Sequence, residues 1–235
     1  MSGSAQDRDI FSDNENDIFS DNENDIFSDN ENDFALDQAT VEALDIYPPL
    51  PQGPYEIVYA DPPWEYSKSQ HRKTADGWTS SGGAASHYGT LSDEALCLLP
   101  AATIMDDNCL VFMWTSGPKL RSAITVGEAW GLNFITIGFV WDKLRPIPGS
   151  YTLSQHEFVL IFKKGRIPSD RGARNIRQKV QEPRGPHSVK PWEVRQRIVD
   201  MFPRQRKIEL FARPHMSNID QGEWDVWGLE ASRPA

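Results

Sequence analysis

The chain has only two cysteines, Cys97 and Cys109, in 235 residues, and no Cys-x-x-Cys spacing. Neither a zinc site nor a disulfide framework is indicated, and both side chains read as buried thiols of a reducing compartment. Gly-x-Gly-x-x-Gly and the Walker loop are both missing, which removes the two commonest nucleotide-binding fingerprints. The N-terminus lacks a basic segment followed by an apolar one, and no apolar run approaches the roughly 20 residues that cross a bilayer. The expectation is a soluble intracellular protein with neither metal nor membrane.

Positive charge is nearly absent from the first fifty residues, where fourteen acids face Arg8 alone. The rest holds 20 acids and 23 bases, so the formal net charge of −10 hides a mildly basic body behind an acidic tail. A polyanionic substrate is compatible with that balance but not required by it. Residues 9–32 are three copies of Asp-Ile-Phe-Ser-Asp-Asn-Glu-Asn. An eight-residue period matches no solenoid, and its charge favours disorder, so residues 1–36 read as a disordered tail and 37–235 as one domain.

What is present is organised around Tyr55-Glu56-Ile57-Val58-Tyr59-Ala60-Asp61-Pro62-Pro63-Trp64. The β-branched run reads as a buried strand, and the prolines cannot continue a sheet ladder, so the chain leaves the sheet at Asp61. In an open α/β sheet that exit is the ligand rim. A carboxylate at Asp61 and a carbonyl aimed by Pro62 and Pro63 suit the two N–H groups of an aromatic amine, with Trp64 as a flat stacking face. The competing reading is an Asp-Pro-Pro turn with the indole tucked into the core.

Residues 37–46 are expected to form a short helix. Residues 65–86, with Lys68, Arg72 and Lys73, read as a long loop over the site. Ser92 is a plausible N-cap, and strands are expected at 110–115, 134–141, 157–162 and 207–213. Helices are expected from Pro118 to a stop at Gly131 and from Lys190-Pro191 to about Phe202. Residues 142–155, with Lys143 and Arg145, read as a rim loop. Residues 163–179 carry seven bases against one acid, Lys164, Arg166, Arg171 and Arg174 among them, and read either as a phosphate-tracking loop or as a solvated face. Strands alternating with helices give an α/β class, a largely parallel sheet with helices on both faces.

Asp61-Pro62-Pro63-Trp64, His87-Tyr88-Gly89-Thr90, Gln155-His156-Glu157, Lys190-Pro191, Lys207 to His215 and Trp224-Asp225-Val226-Trp227-Gly228, in this order, resemble the family named after the seventy-kilodalton subunit of the mRNA adenosine methyltransferase. The short bacterial and phage-borne members look most similar. The resemblance implies an S-adenosylmethionine-dependent adenine N6-methyltransferase acting on DNA or RNA, or an inactive subunit that scaffolds one. It implies a Rossmann-like class I fold with circularly permuted motif order, in which the acceptor motif precedes the cofactor strand. Asp61, Pro62, Pro63 and Trp64 would form the base site. Asp45, Ile46, Asp61, Lys190, Glu209, Phe211, Arg213 and His215 would meet the cofactor, and Tyr88 joins the basic residues as a nucleic-acid contact. Met216 and Leu229 stand where the family often has Asn, which weakens ribose contacts there. Homodimers or heterodimers are expected by analogy, in the cytoplasm of a prokaryote or phage host or in a eukaryotic nucleus.

Overall fold

A computed structural model describes residues 38–66, 71–74, 77–80, 89–148, 151–185, 189–213 and 224–231. The expected disordered tail lies outside them. Nine strands are described: β1 (Tyr55–Ala60), β2 (His71–Thr74), β3 (Gly77–Ser80), β4 (Met105–Thr115), β5 (Asn133–Pro148), β6 (Leu153–Lys164), β7 (Lys179–Gln181), β8 (Lys207–Leu210) and β9 (Trp224–Trp227). The helices are α1 (Gln38–Asp45), α2 (Asp93–Leu98), α3 (Leu120–Ala129) and α4 (Trp192–Met201).

Seven strands form one sheet in the order β7-β5-β6-β4-β1-β8-β9, and β2 pairs with β3 separately. β1 runs parallel to both β4 and β8, β8 to β9 and β5 to β7, while β6 is antiparallel to both its neighbours. β1 is therefore central, and five of its six residues are buried. Such a strand has water on neither face, which is why Tyr55-Glu56-Ile57-Val58-Tyr59-Ala60 reads as a nearly continuous apolar run rather than an alternating one.

Alternate side chains enter two cores. Val58, Ala60, Val111, Met113, Ile208 and Leu210 pack with Leu96 of α2 and Val126 of α3. Ile57, Tyr59, Leu110 and Phe112 pack with Val194 and Ile198 of α4 and with Phe202. Each such aliphatic or phenyl group removed from water contributes about 1.5–3 kcal/mol, so the two layers hold the sheet between their helices.

Several boundaries differ from expectation. The stretch 65–86 includes the β2–β3 hairpin, and 142–155 is the outer part of a β5–β6 hairpin rather than a loop. β7 lies at the end of the basic run, and the C-terminal tail supplies edge strand β9. β4 starts five residues early because Asp106 to Cys109 bulge out between the Tyr55–Met105 and Ile57–Leu110 pairs. There the Asp106 carboxylate accepts the Asn108 N–H, a local turn signal that masks a strand. Ser92 caps α2 by accepting the Ala95 N–H at 3.1 Å, as expected. Gly131 ends α3 in the left-handed conformation, where glycine avoids the Cβ clash.

Candidate active site

β1 is reached before β8 in the chain, yet the two lie side by side, with the next strand after β1, β4, on one flank of the pair and the next after β8, β9, on the other. A crevice opens at the carboxyl ends of strands where the order reverses in this way. Asp61 leaves β1 there, tied to β8 by its N–H to the Leu210 carbonyl at 3.4 Å. Next, the Trp64 N–H binds the Pro62 carbonyl at 2.8 Å and the Leu91 N–H binds that of Pro63 at 2.9 Å. The Asp-Pro-Pro segment is thus stitched at both ends, and its carboxylate has little freedom to wander.

The cavity beside it encloses about 110 Å³ and is walled by Asp61, Pro62, Trp114, Ser116, Glu157, Lys190 and Arg213 among others. Four charges alternate along one side. Lys190 Nζ lies 2.9 Å from Asp61 Oδ1 and 3.4 Å from Glu157 Oε2. The other Glu157 oxygen takes Lys143 Nζ at 2.5 Å. Burial pushes the Glu157 carboxyl up, but Lys190 and Lys143 together hold it below the ordinary carboxylate value. Burial likewise lowers Lys190, and Asp61 and Glu157 outweigh it, so the ammonium is held above its ordinary value. Glu157 and Lys190 are therefore both ionised across the neutral range.

Trp64 corrects an expectation. Its residue is only 5 % exposed and its indole N–H donates to the Trp114 carbonyl at 3.0 Å. It forms part of the wall rather than an open stacking platform. Glu209 is a second correction: it points to the α4 face, 4 % exposed, with Arg195 2.5 Å from its carboxylate. Even-numbered Ile208 and Leu210 face the other core, so a side chain at 209 is carried away from the α2–α3 face by strand alternation.

Phe211 follows β8 in the left-handed conformation and packs edge-on against Tyr47 at 5.9 Å and Trp227 at 5.5 Å. Tyr47 stacks on Trp227 at 5.2 Å, whose indole binds the Pro48 carbonyl. The end of α1 is thereby moored at the carboxyl ends of β8 and β9, with Asp45 exposed and Ile46 61 % exposed.

The family profile of MT-A70 matches residues 55–230. The chain belongs to the MT-A70 family. It is 46 % identical over 195 residues to the type II methyltransferase M.MunI of Mycoplasma sp., covering 79 % of this chain and 82 % of that protein. It is 28 % identical over 184 residues to the N(6)-adenosine-methyltransferase MT-A70-like protein of Drosophila melanogaster and to the human N(6)-adenosine-methyltransferase catalytic subunit METTL3. Both alignments take in 75 % of this chain, but only 27 % of the fly protein and 28 % of the human one. The family is one of N6-adenosine methyltransferases, and the mostly parallel seven-stranded sheet with its acceptor motif ahead of β8 is the corresponding Rossmann-like methyltransferase fold with permuted order.

Among the described residues of this MT-A70 domain, the expected nucleic-acid contacts do not form one surface. Lys143 is 9 % exposed and belongs to the charge chain of the cavity, a correction to its assignment as a surface contact. Lys164 pairs in register with Cys109 near the amino end of β4, across the sheet from Asp61, and Arg166 follows it there, its N–H bound by Asn108. Arg171 packs over the Phe202 ring at 5.5 Å by the end of α4, again away from the cavity. β6, antiparallel to β4, has already carried the run to the edge opposite Asp61 when Gly165, left-handed with the Asp107 carbonyl where a Cβ would stand, ends it. Arg174 is exposed and Arg145 lies exposed on the β5–β6 hairpin. Lys68, Tyr88, His215 and Met216 lie outside the described residues, and of Arg72 and Lys73 only the backbone is described.

Glu157 had no role assigned from sequence, although it stood in the quoted Gln155-His156-Glu157; His156 itself is exposed. Its signal was alternation: along β6 it is the carboxylate on the strand pairing Trp141, at the same edge as Asp61. Among the described residues no helix is long and apolar enough to cross a membrane, and no His, Cys, Asp or Glu group could hold a metal.

Proposed function

We propose that this chain methylates adenine N6 in DNA, with S-adenosylmethionine as donor. The observation that carries the reading is the Asp61 carboxylate beside the Pro62 carbonyl, both fixed at the rim of the crevice between β1 and β8. The choice of DNA is supported by the 46 % identity to a type II methyltransferase over 82 % of its length.

The residues present fit such a donor. A buried ammonium at Lys190 and the guanidinium of Arg213 on the cavity wall would take a carboxylate, Asp61 an ammonium, and exposed Ile46, moored through Tyr47 and Phe211, one face of a purine. When bound, the donor supplies an electrophilic methyl on a sulfonium. Glu209, held in the core by Arg195, is not part of this set.

The chain's own work is on the amine. The lone pair of an aromatic amine is delocalised into the ring and is a poor nucleophile. Asp61 accepts one N–H, and the Pro62 carbonyl, whose second lone pair is left by Trp64, accepts the other. Both bonds strengthen as positive charge develops on nitrogen, so they favour the transition state over the bound base. Asp61 also stands ready for the proton that the methylated nitrogen must lose. Alignment in a walled cavity supplies much of the remaining rate.

The test is transfer of labelled methyl from S-adenosylmethionine to matched DNA and RNA oligonucleotides, followed by digestion to nucleosides. N6-methyladenine from DNA, abolished by Asp61→Ala without loss of the folding transition, is the expected result. Product from RNA alone would overturn the substrate. No product and no cofactor binding would overturn the enzyme in favour of a scaffold subunit.

A further inference from the structure

An enzyme that works on a base edge inside a cavity takes the base out of its stack, and a side chain inserted into the vacated space helps to hold it out. Trp64 is not available for that, being buried in the wall with its N–H bound. A different feature stands at the same rim. β4 ends its pairing at Thr115, opposite Phe158 of β6, whereas β5 and β6 go on together to the Pro148–Leu153 pair. Beyond the Asp142–His156 pair this arm advances three residues along β6 to Leu153, roughly 10 Å at about 3.3 Å per residue, while β5 bulges between Asp142 and Ile147.

Its root is part of the active site, because Lys143 and Glu157, one on each strand, form the outer ion pair of the charge chain. The root is also braced. Asp142 accepts the Leu144 N–H at 3.0 Å and the Gln155 amide at 3.1 Å with one oxygen, and Gln181 and Lys179 with the other, which holds its carboxyl at about 2. Leu144 is left-handed, a conformation a leucine rarely adopts, and its side chain is 49 % exposed. Local strain of that kind persists only where the surroundings enforce it.

Past the root the arm is unlike an ordinary exposed hairpin. From Lys143 to His156 there is no acidic residue, and Arg145 is exposed. Leu153 is 64 % exposed and Tyr151, just past the last strand pair, is 100 % exposed. An exposed arginine and apolar groups without an acid on a two-stranded ribbon match a nucleic-acid groove, which admits such a ribbon, and its stacked interior.

We propose that the β5–β6 arm is a wedge that enters the groove of the duplex and fills the stack vacated by the target adenine with Tyr151, while Arg145 holds the flanking phosphate. This rests on the DNA reading above. Braced through Asp142 to the strands that carry Lys143 and Glu157, the arm couples opening of the duplex to delivery of the base. A base–aromatic stack is the quantity lost when Tyr151 is truncated, so the effect should be about 10-fold or more.

The target adenine is first located by mapping N6-methyladenine in plasmid DNA from cells making the enzyme. The wild type, Tyr151→Ala and Tyr151→Phe are then compared on a duplex with that adenine paired, on the same duplex with an abasic site opposite it, and on the single strand. The fluorescence of 2-aminopurine at the target position reports extrusion independently of turnover. For Tyr151→Ala a loss of about 10-fold or more in kcat/KM on the paired duplex, at most about 3-fold on the other two, and a weaker 2-aminopurine signal are expected, with Tyr151→Phe unchanged. An equal loss on all three substrates, no loss at all, or a change in sedimenting mass showing that the arm joins two copies of this chain would overturn the wedge. A wild type inactive on every DNA substrate would instead overturn the DNA reading.

Discussion

Replacing Glu157 by Gln tests the charge chain most directly, because the swap preserves shape and removes one charge. Glu157 stands between two ammonium groups at 3.4 and 2.5 Å, with side-chain exposures of 14 % for itself and 11 % for each lysine. At an effective dielectric of about 20 the two attractions are about 5 and about 7 kcal/mol. Desolvation of the three ions offsets most of this, and breaking a buried pair by removing one partner typically destabilises by about 3–5 kcal/mol. The glutamine carbonyl still accepts one N–H, so the expected loss is about 2–3 kcal/mol, read as a shift in a denaturant midpoint near pH 7.5.

The pH dependence has a definite sign. The Glu157 carboxyl is depressed in the folded state, so its contribution is present above the ordinary value of 4.5 and is lost as pH falls through the lower folded value. Lys190 is raised, so its share is complete below the ordinary value of 10.5 and is lost only as pH rises through the higher folded one. The stability gap between wild type and Glu157→Gln should be flat from about pH 6 to 9 and close in acid. Turnover should fall about 10- to 100-fold with little change in KM, since Lys190 then leans on Asp61 and competes with the amine. A loss below about 0.5 kcal/mol, a gap that persists below the acid transition, or unchanged turnover would refute the reasoning.

Arg195→Met should destabilise by about 3–5 kcal/mol by leaving the Glu209 charge in the core, and adding Glu209→Leu should recover most of it. Calorimetry on that double variant should give cofactor binding close to wild type; a large loss would restore Glu209 as a cofactor ligand. Tyr47→Ala removes ring contacts at 5.2 and 5.9 Å and should cost about 1–3 kcal/mol. It should also weaken cofactor binding several-fold, because the mooring of Ile46 is lost, and unaltered binding in the same titration would argue against a cofactor role for the end of α1.

Some of this protein was determined by local chemistry alone. β1 could be read because a strand buried on both faces must be apolar at every position, and its end because two prolines cannot donate to a ladder. Ser92 marks a helix start through its side-chain hydroxyl, and Gly131 and Pro191 mark helix ends through their backbone preferences, and each does so in the fold. Asp61 was named as a candidate from its motif and Lys190 from the family resemblance, and the fold brings the two to 2.9 Å.

What stayed hidden depends on partners distant in the chain. β7 and β9 are three and four residues long, too short to show a period, and exist only because a neighbouring strand offers its edge. Lys143 looked like any rim lysine until the β5–β6 pairing set it against Glu157, fourteen residues on. Trp64 and Glu209 were placed by which face of the sheet their position meets, and the start of the basic run by the antiparallel course of β6, which ends at the edge opposite Asp61. Composition and spacing marked the candidate residues and the inner strands; only the tertiary structure decided the order of the sheet and which charges are neighbours, because a pairing across the sheet leaves no trace in the separation along the chain.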